Sequence, residues 1–189
     1  MGSSRLVTVE THRMKNHPIV IDEEFCALIP PMSADSKAQV LPDLYLEFCE
    51  RTDPRYKDIR DRHYVPNRGA QGRQLHFLIH YKGEIVGIVS AGSPIWSRKE
   101  RDKFFGITRE NRAAALNCVV NMTVFRLEKR EPNLASRVIS MWEKVVPYLW
   151  REIYGTEVCG FETLIEPTNG RNGSSYKAAG WTNASEVLR

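Results

Sequence analysis

The sequence predicts an α/β (α+β) fold, a mixed central sheet flanked by helices, and three observations predict it. From residue 75 the pattern runs hairpin, helix, strand, long helix, strand, short helix, the order of a sheet covered by helices. The strand-like runs are strongly apolar and β-branched, as buried strands are. The segment from Leu134 to about Tyr154 carries Leu134, Val138, Trp142, Val145, Leu149 and Ile153 at helical spacing. With 189 residues, 42% apolar and 26% charged, the chain can bury a core, and its composition argues against disorder. No apolar run approaches the roughly 20 residues of a spanning helix, and no secretory signal opens the chain. The expectation is a cytoplasmic protein with no membrane partner.

The elements divide into three stretches. Residues 1–50 form an N-terminal appendage of a short strand plus a helix. Residues 1–16 are polar and ragged, Ile19-Val20-Ile21 is β-like, and Ser33 to Glu50 reads as a helix through Val40, Leu44 and Phe48. Residues 51–74 are a basic, loop-like segment with Pro54, Pro66, Gly69 and Gly72. Residues 75–189 are the core. There Leu75–Tyr81 and Ile85–Ala91 flank the hairpin turn Lys82-Gly83-Glu84, and Thr108 can cap a short helix. Cys118–Leu127 reads as a buried strand. Asn133 can cap the long helix, which Pro147 should kink. Val158–Ile165 is a strand and Ser174–Ala179 a short helix before Gly180-Trp181. The cysteines, Cys26, Cys49, Cys118 and Cys159, show no C-x-x-C and are expected as reduced thiols.

The net charge of +4 is confined to one place. Between Arg51 and Arg73 lie Arg51, Arg55, Lys57, Arg60, Arg62, Arg68 and Arg73, opposed by Asp53, Asp58 and Asp61. Tyr56, His63 and Tyr64 are interleaved. This pattern suits phosphate contacts with base stacking, and equally a solvated surface loop. Arg55, Lys57, Arg60, Arg62, Tyr64, Arg68 and Arg73 are the candidate DNA contacts.

Two further groups can carry chemistry. The start of the long helix, with Leu134, Ala135 and Ser136 in its first turn, is a potential anion site. Arg126, Lys129 and Arg130 would add positive charge, and Ser90 could line a donor pocket. In Phe161-Glu162-Thr163-Leu164-Ile165-Glu166, the acids share strand parity. An acid inside an apolar strand is costly unless paired or used. Glu162 is therefore either a general base with a raised pKa or the partner of a buried arginine such as Arg126. His76 and His80 share a face, but no carboxylate or cysteine at ligand spacing supports them, and no metal is expected.

Strand, anion-binding helix, strand and Asn172-Gly173-Ser174-Ser175-Tyr176-Lys177-Ala178-Ala179-Gly180-Trp181 resembles the core of the GNAT superfamily of acyl-CoA N-acyltransferases. In that likeness Tyr176 takes the place of the acid to a departing thiolate. His63-Tyr64, QLHFLI, VVNMTVFRL, NLASRVI, FETLIEP and GSSYKAAGW narrow it to the Mom DNA-modification family of phage Mu and the related DruA-like family. The resemblance implies a transferase that modifies adenine N6 in duplex DNA, with the base flipped out, protecting phage or mobile-element DNA from restriction. The catalytic candidates are then Tyr176, Glu162, Glu166 and His63. The loop Lys129-Arg130-Glu131-Pro132-Asn133-Leu134-Ala135 lacks the glycines of acetyltransferases. The donor is therefore an activated small group of unknown identity, with acetyl-CoA still possible. A non-catalytic DruA-like binder of nucleic acid in defence and a conventional acetyl-CoA-dependent N-acetyltransferase are the alternatives.

Overall fold

The fold comes from a computed structural model and is described for residues 8–13, 43–65, 72–166 and 172–184. The strands are β1 (Thr8–Arg13), β2 (Leu44–Cys49), β3 (Gln74–Tyr81), β4 (Glu84–Gly92), β5 (Val119–Leu127), β6 (Gly160–Ile165) and β7 (Thr182–Asn183). The helices are α1 (Pro54–Asp61), α2 (Lys99–Phe105), α3 (Arg112–Asn117), α4 (Leu134–Tyr154) and α5 (Ser174–Ala178). The seven strands of the described residues join one sheet in the order β2-β3-β4-β5-β6-β1-β7. β5 and β6 are parallel, and the other neighbours are antiparallel. A parallel pair needs a crossover, and α4 supplies it. The mixed α/β expectation is met.

Alternation assigns the two faces. Leu46, Phe77, Val89, Val120 and Phe161 turn to α4, where Trp142, Val146 and Trp150 are buried. Cys49, Leu78, Ile88 and Val124 turn the other way, under Tyr56 and Ile59 of α1. Lys82 and Gly83 have φ of 51° and 80°, the paired positive values that a two-residue hairpin turn requires. Gly87 is needed where β4 meets β5, because a Cβ there would lie 2.2 Å from the Arg126 carbonyl oxygen.

Several expectations are corrected. Leu44–Cys49 is a strand, not the end of a helix. Its apolar residues satisfy both periods, and pairing with β3 across six positions decides between them. Thr8–Arg13 is a strand rather than a ragged end, held between β6 and β7. The Ile19–Ile21 run and residues 33–42 lie outside the described residues. Part of the basic segment is helical: Asp53 caps α1 by accepting from the Arg55 N–H at 2.8 Å. Asn133 does not cap α4 with its side chain. It sits at φ 60°, and its carbonyl accepts from Ser136 Oγ and the Arg137 N–H, both at 3.0 Å. Cys118 and Cys159 are joined by a disulfide rather than reduced, with Cα atoms 5.2 Å apart. They meet because they precede the paired ends of β5 and β6. Cys49 is free and buried, and burial pushes its thiol up to about 12. No helix among the described residues is long and apolar enough to cross a membrane.

Candidate functional site

The parallel pairing of β5 and β6 is short. It runs from Val119 opposite Gly160 to Met122 opposite Thr163. Beyond that point β5 stays with β4 as far as Leu127, while β6 stays with β1 as far as Ile165. The strands part, and a cleft of about 320 Å³ opens between them. Met122, Thr123 and Phe125 come from β5, and Thr163, Leu164 and Ile165 from β6. His63, Tyr64 and Val65, after α1, close one side, and Asn172 through Tyr176 another. Its size falls in the roughly 300–1,000 Å³ range of small-molecule sites.

Four rings line this cleft: His63, Tyr64, Phe125 and Tyr176. His63 and Tyr64 stack with centroids 4.6 Å apart. His63 Nδ1 accepts from the Val65 N–H at 3.1 Å, which leaves the ring proton on Nε2. Burial, reinforced by the charge of Arg60, lowers its pKa to about 4. The imidazole is therefore uncharged at neutral pH. The Tyr176 hydroxyl donates to Met122 Sδ at 3.5 Å. Its ring stands edge-on to Phe125 and Trp181.

Glu162 is not in the cleft. It lies on the face opposite Phe161, wholly buried, where Arg101 Nη1 of α2 donates to its Oε2 at 2.9 Å. Burial raises its pKa against the pull of Arg101. Of the two roles foreseen for it, the structure supplies a buried arginine, and that arginine is Arg101. Arg126 instead bonds Glu128. Arg101 also bonds Asp102 at 2.6 Å, and Asp102 bonds Arg112 at 2.6 Å. Nothing in the sequence sets Arg101 apart from its charged neighbours Lys99, Glu100, Asp102 and Lys103. The signal available was the buried acid itself, which requires a cation nearby. Glu166 follows the last residue of β6 and is half-buried.

The expected donor residues do not form one site. Lys129, Arg130 and Ala135 share a hollow of about 400 Å³ with Leu127, Glu131 and Pro132. Lys129 also reaches Glu84 at 3.5 Å. Leu134 is in the core, and Ser136 lines a separate hollow with Arg137 and Lys144. Ser90 is fully buried, 2.7 Å from the Tyr56 hydroxyl and 3.0 Å from His76 Nδ1. His76 belongs to that cluster, whereas His80 Nε2 bonds Glu47 at 2.7 Å. Among the described residues no cluster suits a metal ion.

The basic segment is partly neutralised. Arg55 bonds Glu47 and Asp53, each at 2.7 Å, and Arg62 bonds Asp58 at 2.8 Å. Arg60 donates to the Val65 carbonyl at 2.9 Å, beside the cleft. Arg73 donates to Thr156 Oγ1 at 2.9 Å and lies over the Tyr154 ring. Lys57 is exposed, and Arg68 lies outside the described residues.

The sequence profile of a family described as Druantia protein DruA matches residues 9–179. The chain belongs to this family. The matched span runs from β1 to the end of α5, so both the His63–Val65 wall and Tyr176 fall within the DruA region. No curated protein gives a significant match.

Proposed function

We propose that this DruA-family chain is a GNAT-like group transferase that modifies a DNA base, adenine N6, inside the cleft between β5 and β6. The observation that carries the reading is the set of four rings around one hydroxyl, Tyr176, where two parallel strands part. Enzymes that modify a base take it out of the stack and hold it between aromatic and apolar side chains. His63 and Tyr64 would form the stacking wall. Burial keeps His63 uncharged at neutral pH, with its pKa at about 4, so its ring would stack on the base without a positive charge.

In the transfer, N6 forms a bond to the activated carbon of the donor and the bond from that carbon to its leaving group breaks. Tyr176 gives its proton to the leaving group. The proton lost from N6 goes to a base, and Glu166, next in the chain to the cleft residue Ile165, is assigned that part. Glu162, buried outside the cleft and bonded to Arg101, is given no part in this transfer. An acyl-CoA-type donor would supply an activated acyl group, and Lys129 and Arg130 suit its anionic part.

Nucleosides from the DNA of cells expressing the chain, weighed by mass spectrometry, test this. Modified deoxyadenosine is expected, and Tyr176→Phe should reduce it by about 100-fold or more. An unmodified profile beside a folded protein overturns the reading. A second reading, a nucleic-acid-binding defence protein without transfer, is favoured by one observation. The acid buried beside the strand split is already bonded to arginine. It requires DNA affinity that Tyr176→Phe leaves intact.

A further inference from the structure

The loop between β4 and α2 presents Ile95 and Trp96 to solvent, with Trp96 65% exposed. Single exposed apolar residues are ordinary. Two adjacent ones on a loop held rigidly by buried charge are not explained by the fold. Arg101, wholly buried, donates from Nη2 to the Ile95 carbonyl at 2.9 Å. Arg112 donates from Nη1 to the Trp96 carbonyl at 2.9 Å. Both guanidiniums are fixed by Asp102, and that of Arg101 also by Glu162. A buried ion network is a poor source of stability, but it fixes geometry, and what it fixes here is the backbone beneath Trp96. Lys99 and Lys103 are exposed one helical turn apart on α2, so they share a face.

We propose that Trp96, with Lys99 and Lys103, is a second nucleic-acid contact, outside the cleft, where an unpaired base stacks on the indole and its phosphates meet the lysines. Single-strand binding sites combine these two components. The charge favours this partner, because an apolar protein surface would have to desolvate both lysines. The inference rests on the proposal that the chain acts on DNA, and it names how the strand is held rather than what is done to the base.

The test uses the intrinsic fluorescence of the full chain. The other three tryptophans, Trp142, Trp150 and Trp181, are 0%, 1% and 3% exposed, so the solvent-exposed emission belongs to Trp96. A short single-stranded oligodeoxynucleotide should quench that emission and shield it from iodide. Trp96→Ala should weaken binding of the same oligonucleotide by about 5- to 150-fold, while Trp96→Phe retains most of the affinity. Unaltered thermal unfolding confirms that both variants are folded. The inference is overturned if emission is unchanged at oligonucleotide concentrations that saturate anisotropy, or if Trp96→Ala binds as wild type. It is also overturned if Trp96→Ala abolishes only self-association of the chain. Nucleoside analysis separates the two proposals. Modified deoxyadenosine with a Trp96 indifferent to DNA removes only this one, and a Trp96-dependent complex without modified deoxyadenosine removes only the transfer.

Discussion

A carboxylate inside an apolar strand must find a cation or give up its charge, and Glu162 finds Arg101. Removing one member of such a pair leaves an uncompensated buried charge. Arg101→Ala is therefore expected to cost about 3–5 kcal/mol, measured by urea unfolding. Glu162→Gln should cost less, because Arg101 keeps Asp102 as its counter-charge. His76 makes a second residue-scale prediction. Burial, aided by the charges of Arg51 and Arg60, lowers its pKa from 6.5 to about 4. As pH falls below 6.5 the unfolded chain takes up this proton first, so stability present above 6.5 is lost on the way down to 4. Linkage puts the loss at about 2 kcal/mol by pH 5. Unfolding of the wild type against His76→Gln at pH 7 and pH 5 checks it: the variant should show a smaller loss.

At the scale of elements, the parting of β5 and β6 is what opens the cleft. The two strands hold together over four positions and are clamped just before them by Cys118–Cys159. The bridge closes a loop with a sequence separation of 41 that contains α4. Chain entropy gives such a closure about 4 kcal/mol. Cys118→Ser should lower the unfolding free energy by up to that amount under oxidising conditions and by nothing in excess reductant. Mass spectrometry without reduction verifies the bridge directly. β2 illustrates why some elements were not legible. Leu44 and Phe48 fit a helix at four-residue spacing and a strand at even spacing. Six residues cannot decide between the two, but the neighbouring β3 can. The long helix α4 was legible because 21 residues repeat one period.

At the scale of the molecule, the charge excess is less available than its count suggests. Arg55 is occupied by Glu47 and Asp53, from β2 and the α1 cap, and Arg73 by Thr156 and Tyr154. Lys57 remains exposed on α1. If α1 faces a DNA backbone, Lys57→Ala should weaken binding and lower the salt slope by about 1, whereas Arg55→Ala should change it less. Affinity measured across a salt series distinguishes them, and equal slopes for the two variants would count against α1 as the DNA-facing edge.

The sequence by itself determined the mixed α/β class, the hairpin at Lys82-Gly83, the long crossover helix and the short helix bearing Tyr176. These are local matters of periodicity and turn chemistry. It also brought His63-Tyr64 and Tyr176 forward as candidates, and the tertiary structure brings them into one cleft. Only the tertiary structure decided that Glu162 belongs to Arg101, that Ser90 is enclosed by Tyr56 and His76, that Cys118 meets Cys159, and that Leu44–Cys49 extends the sheet. Each of these is a partnership between residues distant in the chain, and side-chain type and spacing do not encode which distant group will be opposite. The physical reason is the sheet register: it sets which acid faces which arginine, and with that which groups are left facing the cleft.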